Sequence, residues 1–220
     1  MEMFASRKLL FPVVLLGLAL VCLVFSSEII LIESGKFLAP EVTGKADVLI
    51  LEGTELIRER PVRAAMELLA SGRADRMAVV VHQDLADAPI FALQNYARLI
   101  ARDLEALGLR KDQFQVIEVP SNHPITLMEA QIALATLSRS EVRTVLLMAE
   151  GFHARRSFWV YKQMGASLGM KIHLYPYFRR YEMKTWWRTA DGCYDFLSES
   201  FKLLYYVIKG YIPVRSLFET

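Results

Sequence analysis

Three of the four histidines, His82, His123 and His153, stand just beyond short apolar runs, Met77–Val81, Gln115–Val119 and Val145–Met148. Carboxylates occupy similar places: Glu52 follows Asp47–Leu51, and Glu150 lies between the last run and His153. A carboxylate beside an imidazole can supply a base and an acid. We therefore assign proton transfer to Glu52 or Glu150 acting with His153. Arg155 and Arg156 come next, and the backbone N–H groups of a helix start favour an anion there. A guanidinium suits phosphate or carboxylate. His153 and Arg156 are three apart and share a helix face. Arg155 is counted with them as a ligand-binding cation, although a helix turns it elsewhere. The competing reading is a solvated basic first turn in which His153 caps or packs.

The elements needed to position these groups are legible around them. Asp47–Leu51, Met77–Val81, Gln115–Val119, Val145–Met148 and Lys171–Tyr175 have the length and apolar character of buried strands. Pro176 is expected to stop the last one. Helices are expected between them. Pro61 opens one that Gly72 closes, Ile90–Leu107 forms another closed by Gly108, and Gly165 closes the helix carrying His153. Thr126 with Glu129 has the capping-box form and is expected to begin the helix after the third strand. Alternating strands and helices imply a Rossmann-like three-layer α/β domain with a mainly parallel sheet of about five strands. Its carboxyl-end edge would gather Glu52, Gly53, Thr54, His82, Asp84, Ser121, Asn122, His123, Glu150, His153 and Arg156, where such sheets bind ligands. Gly53, Thr54, His82 and Asn122 are the uncharged candidates for ligand contact. Thr126 and Glu129 join them only if they do more than cap a helix. His173 lies inside a strand and reads as structural.

Leu9–Phe25 carries no charge and is almost wholly aliphatic, and hydrophobic residues reach 54% of the chain. A helix of that length nearly spans a bilayer core. Arg7 and Lys8 precede the run, and Glu28 and Glu33 follow it. The expected topology is a retained single span over residues 9–27, with residues 1–8 cytoplasmic and the rest extracytoplasmic. A cleaved signal peptide with Val24 and Ser26 before the cut is the alternative. Residues 28–45, broken by Gly35, Pro40 and Gly44, read as a connector, and residues 46–220 as the folded domain. Its tail, Phe196–Lys209, is strongly apolar yet carries Glu199 and Lys202. It is too short and too charged for a second span, and packing on the sheet is expected.

A net charge of +2 gives no case for nucleic acid. Cys193 alone remains outside the apolar run, and no Cys/His spacing suggests a metal. The nucleophile elbow, the Walker loop and the G-x-G-x-x-G fingerprint are all missing, so no cofactor is assigned.

Several segments, in order, resemble the YdcF/SanA/ElyC-type family of bacterial envelope proteins. They are ADVLILEG (Ala46–Gly53), ASGRAD (Ala70–Asp75), TLMEA (Thr126–Ala130), GFHARR (Gly151–Arg156) and a double Trp followed by E-x-x-K-L-x-Y-Y (Glu199–Tyr206). The resemblance implies a Rossmann-like domain behind one span at the bacterial inner membrane. It also implies a role in envelope or cell-wall polymer metabolism, on a phosphorylated or lipid-linked precursor. The motif positions would be Glu52, Gly53, Thr126, Glu129, His153 and Arg156. This chain has Thr54 where many members carry a second glycine, and His82-Gln83-Asp84 where many carry Ser-Gly-Gly. Three functional expectations follow: a phosphate-ester hydrolase or transferase, a non-catalytic binding or assembly factor, and, more remotely, a nucleotide or methyl-donor binder.

Overall fold

The computed structural model describes residues 27–54, 58–83, 96–120 and 123–219. The apolar run Leu9–Phe25, the expected start of a helix at Ile90, and Asp84, Ser121 and Asn122 lie outside them.

A helix over residues 27–38, here α1, opens the described chain. Then follow β1 (Ala46–Thr54), α2 (Glu59–Ala70), β2 (Ala74–Gln83), α3 (Tyr96–Ala106), β3 (Phe114–Pro120) and α4 (Ile125–Ser138). The second half contains β4 (Thr144–Glu150), a 3-10 turn Gly151–His153, α5 (Ala154–Ser167), β5 (Lys171–Tyr177), a 3-10 segment Met183–Arg188, α6 (Ala190–Ile208) and a 3-10 turn Val214–Leu217.

All five strands are parallel, in the order β3-β2-β1-β4-β5. The apolar runs hold alternate residues to opposite faces. Val48, Ile50, Ala78, Val80, Val145 and Leu147 join one core with Ala133, Leu134 and Leu137 of α4, Phe158 of α5 and Leu203 of α6. Leu49, Leu51, Met77, Val79, Leu146 and Met148 join the other, with Val62, Ala65 and Leu68 of α2 and Ile100 and Leu104 of α3. Burial on both faces is why these strands are unbroken apolar runs rather than alternating ones. Helix α2 leaves β1 over one face, while α5 leaves β4 over the other. The adjacent ends of β1 and β4 are therefore the switch point of this sheet, where a crevice forms.

Two expectations are corrected here. Pro176 does not stop β5, which pairs as far as Tyr177 with Glu150. Among the described residues the outer side of β5 is met only by an isolated bridge from Val42 to Leu174, and Pro176, two residues beyond it, forfeits no ladder bond there. Gly35 does not break the segment before β1 either, because α1 runs through it to residue 38. That glycine is a contact and not a breaker: a Cβ on it would come within 3.1 Å of the Trp186 indole. The same indole donates from Nε1 to the carbonyl of Leu31 at 2.9 Å. Among the described residues no helix is long and apolar enough to cross a membrane.

Leu147 is fully buried in β4, at the centre of the core shared by α4, α5 and α6. Leu147→Ala is expected to cost about 2–5 kcal/mol, read from the shift of a chemical denaturation midpoint.

Candidate functional site

The switch point carries a buried cluster of ionisable groups. Glu52, near the end of β1, meets His153, on the turn after β4, with Oε1 2.9 Å from Nε2. The Ser157 hydroxyl donates to the same Oε1. On the other side of the ring, Nδ1 lies 2.7 Å from Nη2 of Arg156 and 3.4 Å from Oε2 of Glu199 on α6. Arg156 also donates from Nε to Glu199 at 3.0 Å and from Nη1 to the Thr126 hydroxyl at 2.8 Å. The ring of Tyr206 lies 4.7 Å beneath its guanidinium carbon. Lys202 donates to the second oxygen of Glu199 at 2.8 Å.

Glu129 forms the adjoining half of the cluster. Its Oε1 accepts from the Gly53 N–H and the Tyr161 hydroxyl, each at 3.0 Å, and its Oε2 lies 2.8 Å from Nε2 of His82. This overturns the capping box. Helix α4 is capped at Pro124 with no side-chain bond, and Thr126 sits inside the helix. Thr126 and Glu129 turn inward instead, where a buried oxygen without a donor costs more than a lost cap. Gly53 serves close approach: a Cβ on it would stand 2.6 Å from Nε2 of His82.

The electrostatics follow from burial and pairing. Burial opposes a charge on His153, and so does Arg156, but Glu52 and Glu199 outweigh them and raise the pKa to about 9. In either protonation state the Nε2 proton faces Glu52. The titrating position is Nδ1: unprotonated, it accepts from Arg156 at the separation seen; protonated, it turns its proton to Glu199. Glu199 is held well below the usual carboxylate range, against the effect of burial, by His153, Arg156 and Lys202. Glu129 moves the other way, pushed up by burial, with the charge of Glu52 adding to it. With Oε1 occupied twice, any proton on Glu129 is shared between Oε2 and His82. Burial, with Glu129 and Glu52, raises the Tyr161 phenol well above its ordinary value, so it stays a donor.

Access is uneven. The His153 side chain is 24% exposed, against 6% for Glu52 and 5% for Glu199. A groove of about 570 Å³ runs past Thr126, Arg156, Lys202, His123 and the rings of Tyr205, Tyr206 and Tyr211. On the sheet side, a water-sized space of about 20 Å³ touches Glu52, Glu150 and Tyr177. The second oxygen of Glu52 is buried and has no hydrogen-bond partner.

The structure thus brings together Glu52, Gly53, His82, Thr126, Glu129, His153 and Arg156. It does not bring in Glu150, whose carboxylate lies 3.2 Å from Arg179 and 3.7 Å from Arg180. Nor does it bring in Arg155, which is 3% exposed and donates to the carbonyls of Phe37, Ser216 and Glu219 while stacking on Phe37. Thr54 ends β1, and Asn122 falls outside the described residues. The expected anion site at the start of α5 is filled from within, because the Phe152 N–H donates to Asp195 at 3.2 Å. Glu199, Ser157 and Tyr161 are the members that the sequence did not announce. Ser157 and Tyr161 follow His153 by four and eight residues, so a face traced on α5 finds them. Among the described residues no group of three His, Cys, Asp or Glu is arranged to hold a metal ion.

Two outcomes are expected. Burial draws Arg155 down to about 10, so it remains a cation tying the tail to α1. Arg155→Ala should lower stability by about 2–4 kcal/mol by thermal or chemical unfolding. His153 has an ordinary pKa of 6.5 and a folded value of about 9. Its stabilising contribution is therefore complete below about 6.5 and is lost as the pH rises through about 9. Glu199 has the opposite sign and loses its contribution only far into acid. An NMR titration of His153 should centre near 9, and Glu199→Gln should move the midpoint down.

Searches of protein-family models, of curated proteins and of solved structures gave no significant match to this chain, and the chemistry of the site rests on its own residues.

Proposed function

We propose that this chain is a membrane-anchored bacterial envelope protein. Its Rossmann-like domain would act outside the cytoplasm on a phosphorylated or lipid-linked envelope precursor, by hydrolysis or transfer at phosphate. The observation that carries the chemistry is the Glu52–His153 pair, 2.9 Å apart at the sheet's switch point. Its histidine is more exposed than Glu52, Glu199 or Arg156, and Glu52 keeps a free buried oxygen. The groove beside Arg156, Thr126 and Lys202 offers cations and a hydroxyl for a phosphate, and tyrosine rings for an apolar or sugar portion. The anchor is supported by Leu9–Phe25 and by Arg7 and Lys8 before it. The resemblance to the YdcF/SanA/ElyC-type proteins supports the envelope role.

In hydrolysis, water would attack phosphorus as Glu52 takes its proton. The P–O bond to the leaving alcohol would break as His153 protonates the departing oxygen. Glu52 would then release its proton to solvent while Nδ1 of His153 regains one, and the pair is reset. Arg156 would neutralise charge on the phosphate while holding the His153 ring.

One observation favours a second reading, a binding or assembly factor without turnover. All three nitrogens of Arg156 already have partners within the protein. A ligand would then meet a finished framework and not a free guanidinium.

The test is phosphate release from a prenyl-phosphate substrate by the full-length protein in lipid nanodiscs. Glu52→Gln and His153→Ala should each lower turnover by about 100-fold or more in protein still folded at the assay temperature by circular dichroism, although each also loses part of the cluster's stability. Full turnover in both variants overturns the catalytic assignment. Absence of turnover in the wild type, with prenyl phosphate still bound, supports the second reading.

A further inference from the structure

Helix α6 is apolar on two opposite sides. Inward, Leu203 and Tyr206 enter the core, and Glu199 enters the charged cluster. Outward, Tyr194, Leu197, Phe201, Leu204, Tyr205 and Ile208 recur at three- and four-residue spacing and therefore line one face. They are 48–73% exposed. A contiguous apolar strip of this kind on the surface marks an interaction site.

Three observations choose its occupant. First, none of the six strip residues is charged, and the exposed charges at its margin are Asp191 in the first turn of α6 and two lysines. Asp195 is turned inward to Tyr181 and the Phe152 N–H, and Glu199 is buried. Lys202 is half-exposed and Lys209 exposed at its margin. Tyrosine, aliphatic and phenyl groups flanked by lysine match the interfacial layer of an anionic bilayer. Second, the uncharged run Leu9–Phe25 ends just before α1, and the start of α1 is pinned to the segment that leads into α6. Glu28 pairs with Arg188 at 2.9 Å, and Trp186 binds the Leu31 carbonyl. Third, the end of α1 is tied through Arg155 to the tail that leaves α6, where Val214 and Phe218 are also exposed.

We infer that the outer face of α6 lies in the lipid headgroup layer, a second membrane contact that fixes the domain's orientation on the bilayer. This inference rests on the membrane anchor proposed above. An amphipathic helix held this way lies along the surface and does not cross it.

The experiment uses the full chain with Cys22 and Cys193 replaced by serine. An environment-sensitive thiol fluorophore is placed by Phe201→Cys, Ile208→Cys or, as the control, Lys111→Cys, whose native side chain is 82% exposed. The protein is reconstituted in phosphatidylethanolamine–phosphatidylglycerol vesicles carrying shallow nitroxide lipids. Labels at 201 and 208 should emit to the blue, lose intensity to the nitroxide lipids and ignore aqueous iodide. The label at 111 should do the reverse. If the protein floats with vesicles but iodide quenches all three labels alike, the α6 contact is wrong and the anchor stands. Labels at 201 and 208 that are shielded from iodide in detergent and unmoved by nitroxide lipids would show a protein–protein face and overturn the inference. A chain that does not float with vesicles overturns the anchor itself.

Discussion

Arg156 is the side chain on which the architecture of the site depends. It sits on α5, yet its bonds go to Thr126 on α4, Glu199 on α6 and His153 on the preceding turn. A buried guanidinium is costly unless each donor is met, and removing one partner leaves a charge stranded. Three helices that share no local sequence must therefore dock together before any one of them is satisfied. Glu199 compensates Arg156 and is in turn met by Lys202, so charge is balanced outward from the core toward solvent. With His153 neutral, Glu52 and Glu199 offset Arg156 and Lys202. Glu52 on β1 and Glu199 on α6 flank the ring and favour its protonated form, which ties its charge state to how these elements sit.

The two carboxylates that flank His153 have different surroundings and so different chemistry. Glu199 is surrounded by cations and stays ionised. Glu52 shares one oxygen with a histidine and a serine while the other goes unpaired. Glu129, a short step away, is driven toward its protonated form by burial, with the charge of Glu52 adding to it. Carboxyl groups whose environments push their pKa values apart can divide acid and base roles. The cluster thus has a lasting anion in Glu199, a half-paired carboxylate in Glu52 and, in Glu129, a group that resists ionisation, built from one type of side chain.

The central strands β1, β2 and β4 were legible because parallel strands buried on both faces must be apolar throughout, while the edge strands β3 and β5 are more mixed, with Glu118 and Lys171 exposed. The neighbourhood of Glu52, His153 and Arg156 was legible for the same reason: it sits where such strands end. Local pattern failed where a residue's partner is remote. Thr126 and Glu129 fit a capping box by spacing alone, but the strand-end groups that claim Glu129, namely Gly53 and His82, are invisible to a window of four residues. Glu199 and Lys202 stand out in the sequence only as charges three apart in an apolar tail, and they do pair. What the window could not show is that the opposite oxygen of Glu199 faces Arg156, 43 residues earlier in the chain. Glu150 failed the other way. Its position at a strand end suggested chemistry, and Arg179 and Arg180, just beyond β5, claimed it.

Arg155 and Arg156 are neighbours in sequence with unrelated duties. One clasps the carbonyls at the end of α1 and the tail of the chain, and the other holds the imidazole. A single peptide unit therefore separates the domain's mounting from its reactive groups. A pull or tilt applied to the stem at α1 arrives at α5 beside the very residue that sets the histidine, with no strand in between. The clasp on α1 and the brace on the imidazole are thus consecutive residues of one helix, so a shift of either is felt at the other.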